Sequence, residues 1–187
     1  MTTPVFDIEK SINAILYVAN HLTRKDFHKI FKVLYFADRN HLSNYGRTIT
    51  GDSYVAMDDG PVPSKIYDIF KIVRGDSLYS SEKKHEFEPY FSVQNWMFIV
   101  PNKEANTDYL SESDLEELNN SLSLYGSLSW DEVREKSHDF AWRSTVKDHT
   151  IDLQNIMREN GEVEEYINFV TEHINLQKAC LKYDGNR

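Results

Sequence analysis

Apolar residues recur three and four positions apart at Phe27, Ile30, Phe31 and Leu34, the spacing of a helix with one buried stripe. A rotation of about 100° per residue from Phe27 carries Asp38, His41 and Tyr45 to within about 40° of that stripe. Lys25, Lys29, Lys32 and Arg39 fall on the opposite side, the pattern of a solvated basic face. An ionised carboxylate entering a buried face is costly unless it is paired or hydrogen-bonded. Asp38 therefore needs a partner, and Arg47 or the turn backbone near Gly51 are the candidates. Two roles fit such a trio: a polar network locking the helix to its following loop, or direct contact with a binding partner.

The loop obeys turn chemistry. Gly46 stands where a helix ends in the left-handed conformation that glycine tolerates, and Thr50-Gly51-Asp52 reads as a tight turn. Residues 53–57 form a short strand, Asp58-Asp59-Gly60 turns again, and Pro61 and Pro63 exclude helix until Ser64, which is placed to cap a helix over 66–73. Elsewhere the periodicity predicts helices over 6–21, from Ser111 to about residue 125, from the Ser129 cap through Lys136, and over 150–158 and 162–180, the last two separated at Asn160-Gly161. Residues 80–86 read as a polar break, and 87–93 and 96–100 as an antiparallel hairpin with Pro89 at an edge. The expected fold is mainly α within the α+β class, a compact helical domain with a small antiparallel hairpin or sheet, spanning 1–187 as one domain.

Residues 1–100 carry 12 acidic and 12 basic side chains, and residues 101–187 carry 18 and 9, so the whole net charge of −9 sits in the second half. Bulk nucleic-acid binding by that half is disfavoured, because phosphate neutralisation needs a basic surface. An acidic surface instead suits a basic partner. The single cysteine, Cys180, excludes an intramolecular disulfide and a Cys-based metal site, and reads as a packing residue. No stretch approaches the roughly 18 apolar residues of a membrane helix. A cytoplasmic chain without membrane contact is the expectation.

Two other chemistries have candidate residues. Asp38 and His41 lie one helical turn apart and can face one ligand, with Asp52, His138 and Asp139 as further donors for a metal-dependent hydrolase. The chain has no His-Glu-x-x-His and no Gly-x-Ser-x-Gly, which leaves metal or nucleophilic catalysis without a motif. Neither a metal nor a cofactor is expected, and the chain is read as a non-enzyme. The face holding Lys25, Lys29, Lys32 and Arg39 is the candidate for a DNA-binding regulator.

The run K-V-L-Y-F-A-D-R-N-H-L, then Y-G-R-T-I-T-G-D-S-Y-V-A-M, then G-P-V-P-S-K-I-Y-D resembles the Panacea-domain proteins, the SocA-like antitoxins and phage-associated GepA-type proteins. The likeness covers mainly residues 10–75, and Ser137-His138-Asp139-Phe140-Ala141-Trp142 resembles the family's later Ser-His and Trp positions. It implies an antitoxin that neutralises the toxin encoded beside it by binding, with a protease route in some members. Because members pair with unrelated toxins, some similar to alarmone synthetases, the likeness does not identify the partner. The candidate residues are Asp38, His41, Tyr45, Arg47, Thr50, Gly51 and Asp52 as a structural or interaction network. Gly60, Pro61, Pro63 and Ser64 are the turn and contact positions, Tyr67 is the exposed aromatic candidate for contact, and His138 and Trp142 are the later family-like positions.

Overall fold

The computed structural model describes residues 5–76 and 81–184. Helix α1 (Ile8–His21) starts at Asp7, whose carboxylate accepts the Lys10 amide at 3.0 Å. Helix α2 (Phe27–Tyr45) starts the same way at Asp26, accepting from the Lys29 amide at 3.0 Å, and stops at Gly46 with φ 69°. Strands β1 (Tyr54–Met57) and β2 (Gly60–Pro63) pair antiparallel, Tyr54 opposite Pro63 and Met57 opposite Gly60. Helices α3 (Ser64–Arg74) and α4 (Ser81–Phe87) follow, then strands β3 (Phe91–Gln94) and β4 (Phe98–Pro101), with Gln94 opposite Phe98. The remaining helices are α5 (Glu112–Tyr125), α6 (Trp130–Ser137), α7 (Phe140–Arg143), α8 (Leu153–Glu159) and α9 (Glu164–Asp184). The fold is therefore mainly α, with two small two-stranded antiparallel sheets among the described residues.

Helix α2 is the axis of the molecule, and α1, α5, α6, α8 and β2 all pack against it. Ile30, Phe31, Val33 and Leu34 join a core with α1, α3, Phe91, Ile99 and Leu118. Tyr35, Phe36 and Leu42 join a second core with Tyr54, Val133, Ala141, Met157, Ile167 and Val170. A helix covered on opposite sides buries more than one stripe, so the basic face expected to be solvated is largely inside. Lys29 and Lys32 are buried. The Lys29 ammonium donates to the carbonyls of Tyr125 (3.1 Å) and Leu128, so the α5–α6 connection closes over it.

Both hairpins are tied to segments distant in sequence. The segment 148–151 runs along β1, with Thr150 bridged to Val55: Ala56 N donates to His149 O (3.0 Å) and Ile151 N to Tyr54 O (2.8 Å). The β3–β4 hairpin joins the α1–α2 connection through Ile99 N to Lys25 O (2.8 Å) and Phe27 N to Met97 O (2.8 Å). Several local expectations differ. Gly60–Pro63 is a strand rather than a turn, its prolines tolerated in a two-stranded ladder. Residues 81–86 are helical rather than a polar break, and Ser80 lies outside the described residues. Phe87 ends α4, and strand begins only at Phe91, beyond Pro89. Cys180 is exposed rather than packed.

Candidate interaction site

Asp38 enters the interior one turn beyond Leu34 and meets the loop that follows its helix. Its carboxylate accepts Ile49 N (2.7 Å), Thr50 N (3.2 Å), Thr50 Oγ1 (2.7 Å) and the Tyr54 hydroxyl (2.8 Å). Burial pushes the Asp38 carboxyl above the usual carboxylate range, against the pull of hydrogen bonds from Thr50, Tyr54 and Ile49. Burial first, and then the Asp38 charge, push the Tyr54 phenol well upward. The turn backbone is thus the partner of Asp38, and Arg47 is not.

Arg47 reaches a second centre, Asp114 at the start of α5. One Asp114 oxygen meets Arg47 Nη1 (2.9 Å) and His41 Nε2 (3.2 Å), and the other meets Lys10 Nζ (2.7 Å). Burial raises this carboxyl, but the hydrogen bonds from His41, Lys10 and the Ser111 amide outweigh it and hold it well below the ordinary range. His41 Nδ1 faces Arg47 O at 2.8 Å and must donate to it, while Nε2 lies between Asp114 Oδ1 and Ser113 Oγ, the latter at 3.0 Å. Tyr45 is half-exposed and donates to Glu116 Oε2 at 2.8 Å. Asp38 and His41 therefore serve different centres rather than one ligand. Among the described residues no three His, Cys, Asp or Glu side chains converge in a group able to hold a metal.

Thr50 links this clasp to the next helix. Its hydroxyl donates to Asp38 and accepts from Asp52 N (3.1 Å), while Asp52 accepts Lys65 N (3.1 Å) and Ile66 N (2.9 Å). The cap of α3 is thus Asp52, twelve residues upstream of the helix, and not Ser64, which lies inside the first turn behind an uncapped Pro63. Gly51 (φ 67°) lies against the N-terminal segment so closely that a Cβ would stand 1.8 Å from the Val5 carbonyl oxygen. At Gly60 a Cβ would meet Ser137 Oγ at 2.4 Å and Lys32 Cε at 2.9 Å, so glycine lets β2 lie against α6. Pro61 supplies the carbonyl that accepts Lys32 Nζ at 2.9 Å.

His138 and Trp142 stack with ring centroids 3.8 Å apart and planes 2° from parallel, and Trp142 Nε1 donates to Met57 O at 2.9 Å. Asp139, next to His138, makes the tie to α2: it accepts the Tyr35 hydroxyl (2.7 Å) and Arg39 Nη1 (3.3 Å), joining α7 to α2. Two of the four basic residues of the DNA-binding reading, Lys29 and Lys32, are buried, and Arg39 is engaged with Asp139.

An open groove of about 490 Å³ runs beside this scaffold, walled by Phe31, Val62, Tyr67, Met97 and Trp130, with Lys32 among its lining residues. Tyr67 is half-buried rather than exposed, edge-on to Phe27 and Phe31 at centroid distances of 6.4 and 5.6 Å. Trp130 stacks on His28 at 4.5 Å. Burial, then the Lys32 charge, push His28 down to about 4; burial pushes Lys32 down to about 7. At the groove's end the β3–β4 turn presents Trp96, 70 % exposed, and Met97, 48 % exposed, with Asn95 and Trp96 both at positive φ (48° and 65°). Sequence reasoning missed Asp114 as a site residue and placed Lys29, Lys32 and Asp139 in other roles, because each is buried by a segment about 30 to 110 residues away in the chain.

No described helix is long and apolar enough to cross a membrane. Comparison with protein-family models matches residues 30–143, more than half of the chain, to the family described as antitoxin SocA-like, Panacea domain. Comparison with curated proteins and with solved structures gives no match.

Proposed function

We propose that this chain, which belongs to the SocA-like antitoxin, Panacea-domain family, neutralises a cognate toxin by binding it directly and without catalysis of its own. Family membership is the observation that carries this reading. The matched span holds the carboxylates of both polar centres, His138, Trp142 and most of the groove wall. In this reading the centres on Asp38 and Asp114 fix the scaffold, and the half-buried aromatics of the groove with the exposed Trp96–Met97 turn supply the contact surface. Tyr, Trp and Met are the side chains that interfaces favour. The whole of 1–187 acts as one Panacea-type domain, in the cytoplasm, on a toxin encoded nearby, with a protease as a further partner where neutralisation proceeds by degradation.

The test is to express the adjacent gene with and without this chain, and then to purify the pair. Toxicity relieved together with a stable complex is the expected result. Relief without a complex refutes direct binding in favour of proteolytic delivery or control of expression, and a harmless neighbour refutes the toxin pairing. Charge reversal of Glu162, Glu164 and Glu165 to Lys tests the acidic second half. Slower association is expected if that half steers a basic partner, and unchanged salt dependence rules steering out.

A further inference from the structure

Among the described cations that the fold covers wholly or in part, Lys32 stands apart. Lys10 and Arg39 meet carboxylates at 2.7 and 3.3 Å, and Lys29 donates to two carbonyls. Lys32, 0 % exposed, makes one hydrogen bond among the described residues, to Pro61 O, and no carboxylate there lies within ion-pair distance of it. An ammonium has three donors, so two remain open on a side chain that lines the groove. One turn earlier on the same helix, His28 Nε2 faces Asp59 O at 3.2 Å and must donate, which leaves its buried Nδ1 an acceptor with no partner.

Resting on the toxin-binding reading, we propose that the groove receives a segment of the bound protein that sets one carboxylate against Lys32 Nζ, one N–H against His28 Nδ1, and an apolar side chain against Phe31, Tyr67 and Met97. The donor–acceptor pattern selects this occupant. A bare anion satisfies Lys32 and leaves His28 unmet, whereas an acidic residue within a polypeptide supplies carboxylate and amide together. The acids at the rim do not fill the role from within. Asp58 is held by Lys147 at 2.7 Å and Asp59 by Arg134 at 3.0 Å. Asp148, also at the rim, disfavours a broadly acidic surface, so the fit is to one carboxylate amid apolar residues. The charged and titratable groups acting on Lys32 are His28 on its own helix, Asp59 in the β1–β2 turn, and Arg134 and His138 of α6 and its cap. Burial has brought Lys32 down to about 7, and an arriving carboxylate restores its charge. Formation of the complex near pH 8 therefore takes up a proton.

The experiment is calorimetric titration of the co-purified neighbour protein into this chain, in two buffers of different ionisation enthalpy near pH 8, for the wild type, Lys32→Met and Val62→Glu. The expected result is proton uptake by the wild type that disappears in Lys32→Met. Affinity should fall by about 30-fold or more in Lys32→Met, which removes one member of a buried charge pair, while the free chain stays at least as stable. Val62→Glu, which places a carboxylate inside the groove, lowers affinity by about tenfold even if Lys32→Met misfolds. A wild-type complex whose affinity neither variant changes overturns the groove proposal and leaves toxin binding intact. Absence of any wild-type complex overturns the binding reading itself, and this proposal with it.

Discussion

Replacing Asp38 by alanine removes the acceptor of four hydrogen bonds at once. Their donors, on Ile49, Thr50 and Tyr54, are all buried, so water does not take the carboxylate's place. Each stranded donor costs about 1–3 kcal/mol, for a gross loss of about 4–12 kcal/mol. Against it stands the burial cost that already raises the Asp38 carboxyl, which the variant no longer bears. A net loss of about 3–5 kcal/mol follows, the range for breaking a buried charged network. For a chain of this length that lowers the melting temperature by roughly 6–20 °C. Urea and thermal unfolding followed by circular dichroism measure it, with Tyr54→Phe and the double variant closing a cycle in which the two losses are not additive. The pH dependence has a definite sign. The folded state binds the Asp38 proton more tightly than the unfolded chain, so this group's stabilisation is full below its unfolded value and is lost as pH rises through the folded one. The gap between wild type and variant therefore widens toward acid pH. A variant within about 1 kcal/mol of wild type at neutral pH refutes the view that this carboxylate holds the loop to the helix.

Three further outcomes follow from the geometry. Asp52→Ala should cost about 1–2 kcal/mol in urea unfolding through the lost cap of α3, while Ser64→Ala stays within about 0.5 kcal/mol, the reverse of what the Ser64 position alone suggests. Gly51→Ala, with its Cβ 1.8 Å from the Val5 carbonyl oxygen at φ 67°, should lower stability by more than about 2 kcal/mol by thermal unfolding. Lys32, lowered from 10.5 to about 7 by burial, binds its proton less tightly folded than unfolded. The free chain should thus gain stability from pH 7 to 10, by at most about 5 kcal/mol from this group. Lys29, lowered for the same reason, adds in the same direction, so the measurement that checks Lys32 is the loss of slope in Lys32→Met.

Helix α2 was legible because its first half obeys one-sided periodicity and both its ends carry local signals, Asp26 before it and Gly46 after it. The need of Asp38 for a turn partner was legible too, since a carboxylate on an apolar face has few alternatives. What a helical projection does not contain is the second cover. Lys29 and Lys32 look solvated on a wheel and are buried because the α5–α6 connection and β2 pass over them. The cap of α3 was misread for a related reason: the β1–β2 hairpin folds back and delivers Asp52 to amides that Ser64 precedes in sequence. The groove was invisible because its walls come from α2, β2, α3, both hairpin turns and the start of α6, which have no pattern in common.

The family span and the physical scaffold do not share boundaries, and the difference bears on how one fold can serve different partners. The matched span begins at Ile30 inside α2 and ends at Arg143 in α7. Yet Ser11 of α1 donates to Thr50 O at 3.1 Å, Lys10 meets Asp114 at 2.7 Å, and α8 and α9 supply Met157, Ile167 and Val170 to the second core. Both polar centres and both cores thus draw on residues outside the span, and the span alone leaves those buried faces uncovered. The groove-side turn and helix start are built differently. Trp96 and Met97 are exposed on a turn closed by its own backbone, and Trp130 is half-buried in the first turn of a helix whose Ser129–Glu132 capping box does not involve the indole. Exchanging these side chains alters the proposed contact surface while the hydrogen bonds of Asp38, Asp114 and Asp52 stay in place. On that reading the deep polar centres keep the scaffold constant, and partner choice rests on a few side chains that the fold does not need.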